Sequence, residues 1–281
     1  MSILVTGATG YIGSAVAERL RARGHAVAGL ARSDEAAHKL EAAGVAVVRG
    51  SLEDPAAFAS AAAASDGVIH TALARGPQAG ALDKALVEAT LGVLAGSNRP
   101  FVYTSGCWVM GNTGGRLAGE MFPIKPPALV AWRPAVERLV LDATERKVRG
   151  IVLRPCIVWG RGSGLLAHLI HGRLPVAGDG SNHWSFIHID ELAEVYALAF
   201  ERAPAGSLYV VAHGPAIPVK QLAEAAGIST SLPLDQAREK LGPLADALAL
   251  DQKIGSTKAA RELGWLPSPR SILEEIRRGS L

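Results

Sequence analysis

Cysteine is scarce in this chain of 281 residues, which contains two, Cys107 and Cys156, without a CxxC spacing. A disulfide framework and a structural zinc site both need more such residues close together, so we expect neither, and we expect no metal. The chain also lacks an apolar run of about 20 residues, the length that a membrane-spanning helix requires. No charged segment precedes the apolar residues 3–5, so we expect no signal peptide, no membrane partner and a cytoplasmic location.

Strong charge of one sign is absent as well. The formal net charge is +3, aromatic residues make up 5% of the chain, and Lys and Arg form no run with aromatics between them. We therefore expect no nucleic-acid partner. Hydrophobic residues make up 49% of the chain, which is typical of a compact globular protein. The expected partner is a small-molecule substrate, and the chain is expected to be a monomer or a homodimer.

Strand-like and helix-like patterns alternate in the first half of the sequence. Short apolar runs predict strands at residues 3–5, 26–30, 45–48, 67–70 and 101–105. Helical periodicity predicts helices between them, at residues 12–23, 35–43, 55–64 and about 81–95. This alternation predicts an α/β fold with a doubly wound parallel sheet, a Rossmann fold, in which ligands bind at the carboxyl ends of the strands.

The second half is less regular. A loop rich in Gly and Pro covers residues 106–127, and a helix is predicted from there to about residue 147. Two more strands are predicted at residues 151–153 and 208–211, and a helix at residues 191–201 with Asp190 as its N-cap. We expect a Rossmann domain of residues 1–160, to which residues 185–212 return, and a smaller, mainly helical substrate-binding region of residues 161–184 and 213–281.

The strongest chemical signal is a GxxGxxG motif between the first predicted strand and the first predicted helix. The first glycine permits a tight turn, the second lets the backbone approach a diphosphate, and the third allows close packing of helix on strand. The start of a helix also offers free N–H groups and a partial positive charge to phosphates. The alternative is a glycine-rich turn without a ligand. The predicted dinucleotide contacts are Gly7, Thr9, Gly10, Tyr11, Ile12 and Gly13.

The second predicted strand is followed by Arg32 and Ser33, where an NAD site would carry a carboxylate for the ribose hydroxyls. Both side chains can donate hydrogen bonds to an adenine 2′-phosphate, so the sequence predicts NADP(H) as the cofactor. The alternative for Arg32 is a solvated loop residue. Further cofactor contacts are expected after the third, fourth and fifth strands, from Ser51, Leu52, Thr71, Ala72, Leu73 and Thr104.

Four later blocks add to the glycine motif. They are GVIHTA at residues 67–72, LRPCIVWG at 153–160, GDG with FIHID at 178–190, and KAARELGWLP at 258–267. In this order the blocks resemble the extended short-chain dehydrogenase/reductase superfamily, which includes nucleotide-sugar epimerases and dehydratases. The resemblance implies that the nicotinamide lies near Pro155, Cys156 and Ile157. It also implies that the sixth and seventh strands rejoin the Rossmann sheet.

The chain departs from that family at the catalytic pair Tyr-x-x-x-Lys. Leu129 falls in the Tyr slot, Arg133 falls in the Lys slot, and no tyrosine lies between Tyr103 and Tyr196. The chain therefore resembles an atypical subgroup. Arg133 can bind the ribose or a substrate anion, but an arginine does not deprotonate and cannot act as a general base. The alternative for Arg133 is a surface ion pair with Glu137.

Another group must then assist catalysis. The family's catalytic serine slot holds a glycine, with Ser105 one residue earlier, and the candidates for catalysis are Ser105, Arg133 and His70. His183 and His188 are further candidates, and the alternative for each histidine is a structural role. An apolar set with few polar atoms is expected to bind the substrate, or else to form ordinary core: Cys107, Trp108, Met110, Trp159 and Trp184.

These features favour an NADP(H)-dependent oxidoreductase that acts on a small organic carbonyl or enone. Two alternatives stay open. One is a non-redox isomerase, dehydratase or cyclase on the same fold, and the other is a non-catalytic NADP(H)-binding redox sensor. The intact later blocks favour an enzyme, whereas the missing tyrosine favours the alternatives.

Replacing Arg32 tests the cofactor prediction. Arg32→Ala removes a partner of the 2′-phosphate alone, so the affinity for NADPH should fall by about tenfold or more while the affinity for NADH changes little. Calorimetric titration of both variants with both dinucleotides measures this difference. Equal weakening of NADPH and NADH would contradict the assigned role.

Overall fold

The computed structural model describes residues 1–51, 54–74, 76–268 and 270–280. The strands are β1 Ser2–Thr6, β2 Ala26–Ala31, β3 Ala46–Arg49, β4 Gly67–His70, β5 Pro100–Thr104, β6 Leu117–Ala118, β7 Arg149–Pro155, β8 Ile157–Trp159, β9 Val176–Ala177, β10 His183–Trp184, β11 Phe186–His188, β12 Ser207–Val211, β13 Ile217–Pro218, β14 Ser231–Leu232 and β15 Lys253–Ile254. The helices are α1 Tyr11–Ala22, α2 Asp34–Ala42, α3 Pro55–Ala63, α4 Ala79–Leu94, α5 Arg133–Asp142, α6 Gly164–Ile170, α7 Ile189–Arg202, α8 Val219–Ala225, α9 Leu234–Leu241, α10 Leu244–Leu248, α11 Thr257–Leu263 and α12 Ile272–Arg278.

Seven strands form the central sheet, in the order β12-β7-β5-β4-β1-β2-β3. The strand β1 pairs in parallel with both β2 and β4, so that Ile3 lies opposite Val27 on one side and Gly67 on the other. The chain order reverses between β1 and β4, which makes this the switch point where doubly wound sheets bind ligands. The predicted Rossmann fold with a parallel sheet is confirmed.

The strands are apolar because helices cover the sheet on both faces. In β1 the residues from Ile3 to Thr6 are all buried, and β4 is buried throughout. One core cluster joins Leu4 of β1, Leu86 of α4, Tyr103 of β5 and Val140 of α5. Each large apolar side chain that is buried in this way contributes about 1.5–3 kcal/mol.

The chain forms two compact units. The first unit comprises Met1–Ser105, Trp132–Leu153 and Ala193–Leu208, and the second comprises Gly106–Ala131, Arg154–Leu192 and Tyr209–Leu281. The second unit has its own apolar cluster, formed by Trp159, Trp184, Phe186, Leu222 and Ile276 together with smaller neighbours. The boundaries predicted for a Rossmann domain and a substrate-binding region stay a prediction. No helix within the described ranges is long and apolar enough to span a membrane.

Two predicted helix boundaries were wrong. The helix α5 ends at Asp142, before the predicted end near residue 147, and a 3-10 turn then leads to Lys147, whose φ of 52° is left-handed. The helix α7 begins at Ile189, so Asp190 lies inside its first turn and is not the N-cap. The Asp190 N–H instead donates to Nδ1 of His188 at 3.2 Å. The side chain that accepts this hydrogen bond from the first turn of α7 is therefore an imidazole and not the predicted carboxylate.

Candidate active site

The glycine turn after β1 leaves no room for side chains. Gly7 has a φ of +70°, and a Cβ there would lie 2.9 Å from the Ala72 Cα. A Cβ on Gly13 would collide with the Gly7 carbonyl and would lie 2.6 Å from Oγ1 of Thr71. The helix α1 can therefore begin directly against the ends of β1 and β4 only because these positions are glycine.

The start of α1 fits a diphosphate. Gly10 is the N-cap of this helix and, as a glycine, offers no side chain to cap the first turn. The Gly10 N–H donates to the Gly7 carbonyl at 2.8 Å, which closes the turn. Thr9 and Gly10 are exposed. Because the first N–H groups of a helix have no acceptor within the helix, this backbone provides donors for a phosphate.

The adenine end of the predicted site carries two basic residues. Arg32, directly after β2, is exposed and forms no hydrogen bond or ion pair with the described residues. Ser33 accepts a backbone N–H bond and caps α2. The sequence analysis missed Arg49, which lies opposite Ala31 in the sheet and whose Nη1 lies 2.8 Å from Oδ1 of Asp34. The signal that could have found Arg49 is its position at the end of the neighbouring strand.

The residues after β3 and β4 lie at the same edge of the sheet. Ser51 is half-buried, whereas the predicted contact Leu52 lies outside the described residues. Thr71 donates its hydroxyl to the Thr6 carbonyl at 2.6 Å, and the Ala72 N–H donates to Thr6 Oγ1 at 3.3 Å. These bonds fix the end of β4 against the end of β1. Leu73 is 57% exposed.

His70 belongs to a buried polar network. Its Nδ1 lies 2.6 Å from Oγ1 of Thr6, and its Nε2 lies 2.9 Å from Oδ1 of Asp83. The other carboxylate oxygen of Asp83 accepts a bond of 2.7 Å from the Tyr103 hydroxyl. His70 is 1% exposed and both its ring nitrogens are engaged, so its geometry suits the positioning of the site better than contact with a substrate.

Arg133 continues this network at the end of β5. Its Nη1 donates to the Thr104 carbonyl at 2.7 Å and to the Tyr103 hydroxyl at 3.4 Å, and its guanidinium lies 4.7 Å from the ring centroid of Trp132. The structure therefore does not show the alternative of a surface ion pair with Glu137. The side chain is half-buried and is held at the carboxyl edge of the sheet.

The two fully buried tyrosines of the first unit are not suited to act as a catalytic phenol. Tyr103 and Tyr196 are both fully buried, and burial raises the pKa of each phenol above its usual value. The Tyr196 hydroxyl lies 2.6 Å from Thr104 Oγ1, which also donates to the His70 carbonyl at 2.6 Å. Both phenols stay protonated near neutral pH, so neither serves as a general base.

Ser105 carries an unused hydroxyl. The side chain is 6% exposed, and its Oγ has no hydrogen-bond partner among the described residues, although its backbone N–H donates to the Leu153 carbonyl at 2.8 Å. Buried hydroxyls nearly always have a partner, because an unsatisfied one costs about 1–3 kcal/mol. An oxygen of a bound molecule would supply that partner, which makes Ser105 the strongest catalytic candidate of the first unit.

The predicted substrate contacts lie in the second unit, mostly in its core. Met110, Trp159 and Trp184 are at most 4% exposed, and Trp108 packs against the same apolar cluster. The Trp184 indole N–H donates to the Leu248 carbonyl at 2.9 Å. This burial favours the alternative of ordinary core, although the substrate-binding role stays a prediction.

The two cysteines are close in space, which their separation in sequence did not suggest. Cys107 Sγ and Cys156 Sγ are 2.9 Å apart, and both are unbridged and buried. Burial raises the pKa of the Cys156 thiol, so it stays protonated and inert.

Pro155 ends β7 and Ile157 begins β8, and their contact with a nicotinamide stays a prediction. His183 also has a protein partner, since its Nδ1 lies 2.8 Å from Oδ1 of Asp251.

Comparison with known proteins agrees with this architecture. The profile of the "NAD dependent epimerase/dehydratase family" matches residues 3–212. The chain is 33% identical to an uncharacterized protein of Schizosaccharomyces pombe, with 98% of each chain covered. It is 30% identical to a 2-alkyl-3-oxoalkanoate reductase of Stenotrophomonas maltophilia, with 99% of this chain and 98% of that protein covered.

A solved structure shows the same fold. The UDP-glucose 4-epimerase of Thermus thermophilus, in complex with NAD, superposes with a TM-score of 0.75 at 24% identity, with 100% of both chains covered. Together with the glycine turn and the parallel sheet, the profile match assigns the class: the chain belongs to the NAD dependent epimerase/dehydratase family.

Asp83→Asn tests the buried network. The substitution removes the charge that accepts hydrogen bonds from His70 and Tyr103, so the free energy of unfolding should fall by about 3 kcal/mol. Urea unfolding measures this loss. The control is Glu88→Gln on the same helix, where an exposed contact of 3.6 Å with Lys84 should contribute about 0.5 kcal/mol or less. Equal effects of the two substitutions would show that the network contributes no special stability.

Proposed function

We propose that this protein is an NADP(H)-dependent oxidoreductase that reduces the carbonyl or enone of a small organic molecule. The observation that carries the proposal is the glycine turn of the first unit, where a Cβ at Gly7 or Gly13 would collide with the backbone of Ala72 or of Gly7, so that only glycine lets α1 begin beside the ends of β1 and β4. The family profile supports a nicotinamide cofactor, and the relative named as an oxoalkanoate reductase supports reduction of a ketone.

The proposed preference for NADP(H) over NAD(H) rests on the side chains at the adenine end of the site. Arg32 is exposed and has no described partner, and Arg49 lies on the next strand of the sheet. Two guanidinium groups without a carboxylate at the end of β2 favour a 2′-phosphate over a free ribose hydroxyl. Asp34 bonds Arg49, so its negative charge is offset there.

The reaction needs few groups from the protein. A nicotinamide bound at the carboxyl edge of the sheet would supply the hydride that reduction of a carbonyl carbon requires. Ser105 then donates its free hydroxyl to the carbonyl oxygen, where negative charge develops during reduction. Arg133 stays protonated and holds the ribose or an anionic part of the substrate, while Thr104 and Tyr103 fix its guanidinium. The proton that completes the alcohol comes from water, because the buried phenols do not ionise or donate readily near neutral pH.

A carbonyl panel tests the activity. The purified protein is mixed with NADPH and with 3-oxo acids, cyclic ketones and enones, and the near-ultraviolet absorbance of the reduced nicotinamide is followed. We expect oxidation of NADPH with at least one class, together with an alcohol or saturated ketone detected by mass spectrometry. If NADPH binds but no class is reduced, the proposal fails, and a non-redox enzyme or a redox sensor becomes the better account.

Ser105→Ala tests the proposed role of the hydroxyl. Loss of a donor to the developing oxyanion should lower kcat/KM by roughly 100-fold or more, with NADPH affinity unchanged. The control is Ser65→Ala, because Ser65 is also 6% exposed but donates to the Ala62 carbonyl at 2.9 Å, before the amino end of β4. Steady-state kinetics with the best substrate separate the two variants. Full activity in Ser105→Ala would rule out this role.

A further inference from the structure

The second unit contains a cavity that the proposed reaction does not use. Its volume is about 310 Å³, at the lower end of the range for small-molecule sites. The cavity lies beside the start of α7 and the segment that leads into α12. The residues that matter for its chemistry are Trp159, His188, Glu191, Ile217, Arg270 and Leu273.

Arg270 is exposed and brings a positive charge to this cavity. Its only hydrogen-bond contact with the described residues is Nε2 of His188, 3.1 Å from its Nη1, and no described carboxylate lies within ion-pair distance. The carboxylate of Glu191 also lines the cavity, but its two oxygens already accept bonds of 3.0 Å from the Trp265 indole and the Ser268 N–H. A guanidinium has five N–H donors, so most of those on Arg270 remain for a ligand.

His188 has an N–H donor beside each of its ring nitrogens, and a neutral imidazole can accept a hydrogen bond at only one of them. With Nδ1 as the acceptor of the Asp190 N–H at 3.2 Å, the ring proton lies on Nε2. The Asp190 carboxylate oxygen is 3.6 Å from Nδ1, too far to favour the other tautomer, and it belongs to a carboxylate that pairs with Arg161. Burial, with the charge of Arg270, lowers the pKa of His188, so the ring is neutral near pH 7.

Two N–H donors, Nη1 of Arg270 and Nε2 of His188, therefore face each other 3.1 Å apart. Donors in this arrangement repel each other, and a single anionic oxygen can accept a hydrogen bond from both. The rest of the lining is mainly apolar. The ring of Trp159 meets His188 edge-on at 4.7 Å, and Ile217 and Leu273 add aliphatic surface.

We propose that this cavity binds a small organic acid, whose carboxylate accepts hydrogen bonds from Arg270 and from Nε2 of His188 and whose apolar body lies against Trp159 and Leu273. The described residues that line the cavity include neither the glycine turn nor Ser105 and Arg133, so the proposal stands whether or not the chain is a reductase. It assigns a second ligand, of a different chemical class from the dinucleotide.

Calorimetric titration with benzoate tests this site. We expect wild-type protein to bind benzoate, and to bind uncharged benzamide at least about tenfold more weakly, because the amide lacks the charge that strengthens both hydrogen bonds. Arg270→Gln should weaken benzoate by a similar factor. One control variant should bind benzoate as wild type does: Arg277→Gln, which changes an exposed arginine on α12.

Three results would overturn the proposal. They are no benzoate binding by wild-type protein, equal binding of benzoate and benzamide, and unchanged affinity in Arg270→Gln. Nitrogen NMR spectra of protein labelled at its histidine ring nitrogens give a second readout, which does not depend on a variant. The free protein should show His188 protonated on Nε2, and benzoate should shift that signal, whereas a titration that leaves it in place would refute the assigned contact.

Discussion

The arrangement of the first unit depends on the close approach of backbone segments at the end of β1. A Cβ at Gly13 would collide with the Gly7 carbonyl, and one at Gly7 would press on Ala72. Because both positions lack side chains, α1 starts directly beside the ends of β1 and β4 and turns its first N–H groups to the carboxyl edge of the sheet. A diphosphate is the ligand that such an edge accepts best.

The second constraint is the buried polar network that runs across this edge. Thr6, His70, Asp83 and Tyr103 are joined by contacts of 2.6–2.9 Å, and Tyr103 leads on to Arg133. The network links the strand that carries the glycine turn to the strands and helices that carry the other candidate side chains. Polar groups buried together in this way specify one arrangement, because any broken contact leaves an unsatisfied group in a poorly solvating interior. Arg133 thus has a fixed geometry at the end of β5.

Local patterns made the sheet and the glycine turn predictable. Short apolar runs, glycine spacing and helical periodicity act over a few residues, so they are visible in one sequence. The strands β6, β8–β11 and β13–β15 were not predicted, because each has only two or three residues, too few to show a period, whereas β12 was predicted at residues 208–211. The end of α5 was missed because its last turns continue as a 3-10 turn without a break in the pattern.

The site was less predictable, because its contacts join distant positions. Asp83 pairs with His70 across a loop and a helix, and Cys107 meets Cys156 although 49 residues separate them. The free hydroxyl of Ser105 could be recognised only once the neighbours of Ser105 were known. Burial is also invisible in a single sequence: Trp184 and Met110 are apolar enough for either a substrate site or a core, and composition alone does not separate the two.

Backbone amide NMR during a titration with NADPH tests the central claim most directly, since that claim concerns main-chain N–H groups at the start of α1. The account predicts that the largest shifts of amide proton and nitrogen fall on Gly10, Ile12 and Gly13, with a further shift beside Arg32. A titration that saturates the protein but leaves the amides of the glycine turn unshifted would contradict the account.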